Sequence, residues 1–216
     1  MDFSEKLRKI TYWFLLRNPD VELWKEIDDY EKYFISSKGR VKSTKFIQPR
    51  ILKPYKQPLS GHLIVALTKN GIGKTFLVHR LLANAFIPNP GSNPCIDHKD
   101  RNPENNSVAN LRWCTHGQNM ANQSKTKFEK TSKFKGVCFN KGKNKWMSTI
   151  HYKQKKLFLG YHDTEAEAAH VYNEIAEILF KEFAALNHIK EKKKEYNKNY
   201  NEKRKALIIK AKAMLE

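Results

Sequence analysis

The period of hydrophobic and polar positions changes several times along the chain, and each change marks an element. Tyr33 to Ser37 and Arg40 to Thr44 are short strand-like runs joined by Lys38-Gly39, a hairpin turn signal. His62 to Lys69 alternates with strong apolar content, Asn70-Gly71 is a second turn, and Lys74 to Val78 reads as the partner strand. His79 to Phe86 then carries Leu81, Leu82, Ala85 and Phe86 at helical spacing, and Pro88-Asn89-Pro90 stops it. Pro94 to His98 is a short strand, Lys99 to Asn106 a polar loop, and Val108 to Cys114 a return strand. Thr115 and Gln118 fit a capping box, which puts Asn119 in the first turn of a following helix.

Beyond the polar stretch Ser124 to Ser132, strands are expected at Gly136 to Phe139, Lys145 to Tyr152 and Lys156 to Tyr161. Thr164 to Glu167 is another capping box, opening a helix with Tyr172, Ile175, Ala176, Leu179 and Phe183 on one stripe. The whole predicts an α+β chain of small modules. These are an N-terminal extension (1–20), a β-rich segment (21–76), a strand–loop–strand–helix unit (77–123) and a linker (124–132). A three-stranded antiparallel sheet covered by a helix (133–188) and a basic tail (189–216), read as a solvated helix, complete it.

Charge narrows the partner. The 216 residues hold 41 Lys and Arg against 22 Asp and Glu, a formal charge of +19, which points to a polyanion and first to nucleic acid. The charge is also segregated. No carboxylate lies between Lys32 and Ile96, where eleven Lys or Arg do, and none between Lys130 and His162. Asp163 to Glu182 holds six acids and one Lys. This predicts two basic surfaces toward phosphate and an acidic helix facing away. Apolar runs of five residues are far too short to span a membrane, and the N-terminal apolar stretch is too short for a signal-peptide core. Three cysteines, Cys95, Cys114 and Cys138, argue against a disulfide framework and for a reducing, intracellular setting.

The chemistry concentrates at Asp97-His98, with Asn110 and Asn119 further on. Neutral imidazole can take a proton from water near neutral pH, and phosphodiester hydrolysis also needs a cation against the phosphate. Mg²⁺ prefers oxygen ligands and keeps several waters, so Asp97 and the Asn119 carbonyl suffice as protein donors. Adjacent strand residues point to opposite faces, so Asp97 and His98 can share a site only where the strand ends. Asn110 is suited to bond the loop backbone and hold His98. A turn with a solvated His is the commoner meaning of the dipeptide. A zinc site from Cys95, His98, Cys114 and His116 is disfavoured because Cys114-x-His116 is tighter than usual structural zinc spacing. His79, at its helix start, is expected to serve packing or to bond backbone, with approach to the site as the lesser alternative, and Trp24, Trp113 and Trp146 to serve the core.

At these residues the sequence resembles the HNH homing endonucleases of phages and mobile introns, over roughly Val21 to His188. Trp24 to Ile27 with Tyr33 to Ser43 resembles the NUMOD-type segment of such nucleases. His79 to Asn89, Ile96 to His98 and Asn105 to Trp113 resemble an HNH core in a His-Asn-Asn variant. Phe134 to Val137, Lys145-Trp146, Leu159-Gly160, Glu167 to Ala169 and Leu186-Asn187 resemble an APETALA/ethylene-response DNA-binding domain. The resemblance implies a ββα-metal nuclease with His98 as general base, Asp97 and Asn119 as ligands of Mg²⁺ or Mn²⁺, and Asn110 as structural support. Candidate DNA contacts are Lys38, Arg40, Lys42, Lys135, Lys141, Lys145, Trp146, Ser148 and His151.

The expected function is a site-preferring endonuclease acting on double-stranded DNA. It is expected to be a monomer away from membranes, in the cytoplasm of a prokaryotic host or infected cell. A non-catalytic DNA-binding regulator is the alternative, and an RNA binder or RNA nuclease the third reading.

Overall fold

The computed structural model describes residues 3–124, 131–190 and 198–215. The linker expected at 124–132 and the start of the tail lie largely outside them. The chain divides into two compact units, Met1–His116 and Gly117–Glu216. It is mixed α+β, and every strand pair among the described residues is antiparallel.

The first unit opens with helix α1 (Phe3–Arg17), in the segment the hydrophobic pattern left as an extension. Strands β1 (Trp24–Ile27), β2 (Tyr30–Ser36), β3 (Val41–Ser43) and β4 (Arg50–Leu52) form a four-stranded meander. A second sheet contains β5 (Tyr55–Lys56), β6 (Leu63–Lys69) and β7 (Ile72–Leu77). The β6–β7 turn places Asn70 at φ 51° and Gly71 at φ 77°, the double left-handed conformation that matches strand twist and that Asn-Gly tolerates. Helix α2 (Val78–Phe86) follows β7 without a break. It ends where Ile87 turns extended (φ −101°, ψ 120°) ahead of Pro88, as the ring of a following proline requires.

Strands β8 (Cys95–His98) and β9 (Leu111–Cys114) pair from Cys95↔Cys114 to His98↔Leu111. The return strand is shorter than the alternation suggests. Asn110 and Leu111 both donate backbone N–H groups to Ser107 O at 3.1 Å, so residues 107–110 turn instead of extending. All these elements except β5 contribute to one core. Leu81, Leu82, Ala83 and Phe86 of α2 meet Leu15, Ile35, Val41, Val65, Leu67, Ile96 and Leu111. The boundary drawn at 76/77 therefore runs through a single hydrophobic cluster, in which each fully buried Leu or Phe contributes about 2 kcal/mol.

In the second unit, α3 (His116–Asn122) starts at the division. Strands β10 (Val137–Asn140), β11 (Lys145–Tyr152) and β12 (Lys155–His162) form a meander that packs one face on α4 (Glu165–Phe180). Thr164 caps α4 by accepting from Glu167 N, while Glu167 Oε2 accepts from Asp163 N. A 3-10 turn, Lys181–Phe183, follows. Asn187 then donates its backbone N–H to Asn173 Oδ1 at 2.8 Å and exchanges two hydrogen bonds with the Lys135 backbone. The described part of the tail is a docked helix, α5 (Lys198–Ala213), rather than a solvated one. Its Ala211 is fully buried, and Leu207, Ile208 and Met214 pack on the sheet–helix core. Arg204 pairs with Glu174 of α4. The acidic charge of α4 thus partly serves this docking.

Candidate active site

Strand β8 delivers Asp97 and His98 to the point where the ladder gives way to loop, with Lys99 N donating to Asn110 O at 2.9 Å as its last rung. Both side chains are buried. Asp97 faces Arg112 across the pair, its Oδ2 accepting from Nε at 2.8 Å and lying 2.7 Å from Nη2. His98 enters different company. Its ring centroid lies 5.3 Å from that of His79 at the start of α2 and 5.6 Å from that of His62 before β6. His62 and His79 are 4.7 Å apart. His98 Nε2 lies 3.0 Å from Asn106 Oδ1.

The loop between the strands is held by side-chain amides. Asn110 Oδ1 accepts from Asp100 N at 3.1 Å, and its Nδ2 donates to Asp100 Oδ1 (2.9 Å) and Asn105 O (2.8 Å). These bonds tie Asp100 and Asn105 of the loop to the residue just before β9. Burial acts to raise the Asp100 carboxyl, but donors from Asn102, Asn105 and Asn110 outweigh it and hold the group below its ordinary range. Burial, with neighbouring His62, His98 and Arg80, drives His79 down to about 3, and burial and His98 also lower His62. His79 is therefore an uncharged wall of the cluster at neutral pH. Its Nδ1 is buried with no hydrogen-bond partner.

Asn119 lies in α3 and belongs to the second unit. The zinc alternative gains no support. Cys95 Sγ and His116 Nδ1 are 3.1 Å apart and Cys114 is opposite Cys95, but His98 is in the other cluster. Burial, Asp97 and Cys95 push the Cys114 thiol up to about 12. Among the described residues no group of three or more His, Cys, Asp and Glu could hold a metal ion. A carboxylate such as Asp97 is the kind of hard donor that Mg²⁺ takes while keeping several waters, but its Oδ2 is engaged by Arg112.

The candidate DNA contacts separate by placement. Lys42 Nζ lies 4.4 Å from the Trp24 ring centroid and 5.3 Å from that of Phe34. Lys38 donates to Asp20 O, and Arg40 pairs with Glu22. In the second unit Lys141 and His151 are exposed, and Lys145 pairs with Asp163. Three candidates face inward. Ser148 is 0% exposed and hydrogen-bonds His162 Nε2 at 2.8 Å. Trp146 packs against Phe134, Val137, Ala168 and Ala169. Lys135 Nζ donates to the carbonyls of Met120, Ala121 and Gln123.

Trp146 and Ser148 share the α4 side of the sheet with Ile150, so Met147, Thr149 and His151 take the other side. Phe158 and Tyr161, opposite Thr149 and Met147 in register, are 48% and 39% exposed there. Sequence reasoning missed both. A bulge between Ser148 and Thr149 changes the pairing with β12, and simple alternation cannot carry a face across it.

Comparison with known proteins places two families on this geometry. A NUMOD4 motif matches residues 22–68 and an HNH endonuclease model residues 76–121. The DNA endonuclease I-HmuI of Bacillus phage SP01 is 42% identical over 101 residues, covering 46% of this chain and 56% of that protein. The H-N-H endonuclease F-TflII of Escherichia phage T5 is 37% identical over 93 residues, 42% of this chain and 47% of that one. An uncharacterized HNH endonuclease, L245, of Acanthamoeba polyphaga mimivirus is 38% identical over 104 residues, 47% of this chain and 30% of that one. A solved structure of DNA binding and cleavage by I-HmuI aligns with TM-score 0.43 at 39% identity, covering 47% of this chain and 57% of that one. The chain thus spans about half or less of the length of these relatives. It carries a NUMOD4 motif followed by a segment that matches the HNH endonuclease model, and over these residues it is similar to the phage endonucleases I-HmuI and F-TflII.

Proposed function

We propose that this protein is a site-preferring DNA endonuclease that hydrolyses phosphodiesters in double-stranded DNA with one divalent cation, Mg²⁺ or Mn²⁺. The observation that carries the reading is the end of β8, where the buried imidazole of His98 meets an Asn-braced loop within the HNH-matched residues, next in the chain to the buried carboxylate of Asp97, which pairs with Arg112. His98 takes the proton from the attacking water. Asp97 would hold the cation, and Asn119, on the grounds of its sequence spacing alone, would be the second oxygen donor. When bound, the cation neutralises charge on the phosphate and the leaving oxygen. Asn110 keeps the loop, and with it the end of β8, in shape. The acid-free stretch from Lys32 to Ile96 and the open sheet face with Phe158, Tyr161, Thr149 and His151 supply affinity and register on the duplex. The protein acts as a monomer inside the cell. No helix among the described residues is long and apolar enough to cross a membrane.

The test is plasmid cleavage with Mg²⁺, Mn²⁺ or chelator present, beside duplex binding measured separately. His98→Ala is expected to abolish cleavage with binding nearly intact, and chelation to do the same. Salt-sensitive binding without any metal-dependent nicking would instead make the protein a DNA-binding regulator, and preference for RNA over duplex in competition would refute a DNA substrate.

A further inference from the structure

We infer that Asn106 is a positioning residue for His98, and that the β2–β3 turn at Gly39 holds Asn106 in place. The inference deepens the proposed function and rests on His98 acting as the base.

Asn106 Oδ1 lies 3.0 Å from His98 Nε2, and both residues are buried. The amide's orientation follows from its other end, where Nδ2 donates to Glu104 O at 3.4 Å. With oxygen toward the ring, only an Nε2–H can make the contact. The neutral imidazole therefore carries its proton on Nε2 and its basic lone pair on Nδ1. A base that must accept a proton at one defined nitrogen needs its tautomer set by what the other nitrogen touches.

The second half of the inference concerns what supports Asn106. Gly39 sits at φ +77°, and a Cβ there would lie 2.4 Å from Asn106 O and 2.7 Å from Asn106 Cβ. The two backbones are thus in direct apposition, which only glycine allows. Val108 N donates to Ser37 O at 3.1 Å beside this contact. From the second sheet, Lys56 pairs with Glu104 at 2.6 Å, and a Cβ on Gly61 would touch Pro103. The loop that presents Asn106 to the histidine is gripped by turns of both N-terminal sheets. The NUMOD4-matched segment accordingly shapes the base as well as carrying cations for DNA. Lys38-Gly39 reads as a hairpin turn in sequence and Asn106 as loop composition, so nothing local connects them.

The experiment uses the full chain with ¹⁵N-labelled histidine, and long-range ¹H–¹⁵N spectra near pH 8.5, where free imidazole is neutral. The His98 ring is assigned by its loss in His98→Gln. Wild type is expected to show His98 protonated on Nε2. Asn106→Leu, which removes the acceptor, is expected to mix the tautomers and lower kcat about 10- to 100-fold with KM for duplex nearly unchanged. Asn106→Asp, which restores an acceptor of the same shape, should recover the Nε2–H tautomer and most of kcat. Gly39→Ala should show the same spectral mixing and kcat loss. Should that variant melt before the measurement, the Asn106 pair decides the contact, and the Gly39→Ala spectrum taken at a lower temperature, where its melting curve shows it folded, decides the support. A pure Nε2–H tautomer in Asn106→Leu, or a kcat loss without tautomer change, would overturn the inference. Absence of cleavage by wild type would overturn the general-base reading alone, since the ring spectrum still reports the Asn106 contact.

Discussion

Arg112 places both Nε and Nη2 within 2.8 Å of the same oxygen of Asp97, in directly opposite positions on β8 and β9. With side chains 14% and 5% exposed, this is a nearly buried ion pair. Removing one partner from such a pair costs about 3–5 kcal/mol, chiefly because a charge is left in a poor solvent. Arg112→Met is therefore expected to lower unfolding free energy by about 3 kcal/mol in urea titration at neutral pH. The double variant with Asp97→Asn should lose less than the sum of the two single changes. An Arg112→Met effect below about 1 kcal/mol would show the pair to be incidental.

His79 makes the first unit acid-sensitive. Its folded pKa of about 3 is depressed by burial, then by His62, His98 and Arg80, against an unfolded value near 6.5. The unfolded chain thus binds the extra proton first. The stability tied to neutral His79 is complete above about pH 6.5 and declines as pH falls toward 3. Between pH 7 and 5 this one group accounts for about 2 kcal/mol. Urea midpoints at those two pH values should differ markedly in wild type and clearly less in His79→Gln. Equal slopes in both proteins would disprove the linkage.

Gly136 offers a steric test in the second unit. At φ +73°, a Cβ there would fall 2.1 Å from the Tyr172 ring and 2.6 Å from Thr149 O. Neither the buried ring nor the strand backbone can retreat cheaply, so Gly136→Ala is expected to cost about 3 kcal/mol. Gly142→Ala, whose new atom meets only Asn140 Oδ1 at 3.6 Å, should stay within about 0.5 kcal/mol of wild type. Thermal unfolding of the two variants side by side provides the comparison.

Two lysines should separate phosphate contact from structure. Lys42 lies over Trp24, whereas the Lys135 ammonium is engaged by three backbone carbonyls. Lys42→Gln is expected to reduce the slope of log binding constant against log salt by about one. Lys135→Gln should leave that slope unchanged and lower the melting temperature. The reverse pattern would move the interface off the first unit's sheet.

Much of the local architecture can be read from the chain. Alternation alone delimits Lys145 to Tyr152 as a strand, and that is β11. Asn-Gly predicts the β6–β7 turn, Pro88 the end of α2, and Thr164 the start of α4. Asp97, His98 and the loop-bracing Asn110 are legible for the same reason: short-range spacing ties them to one strand–loop–strand unit. The short strands β1, β4 and β5 escape notice because two to four residues carry too little periodic signal.

Periodicity, turn chemistry and charge are local properties, so the linear order of residues determines the element types, the strand end bearing Asp97 and His98, and a basic chain suited to phosphate. Which face of the last sheet is covered, and hence the burial of Trp146 and Ser148 and the exposure of Phe158 and Tyr161, depends on packing against α4 and on the bulge beside Ser148. The meeting of His62, His79 and His98, and of Gly39 with Asn106, joins segments far apart in the chain. Such encounters arise only when one shared core draws both N-terminal sheets onto α2, because burying apolar surface is non-directional and leaves no local mark at the residues it brings together.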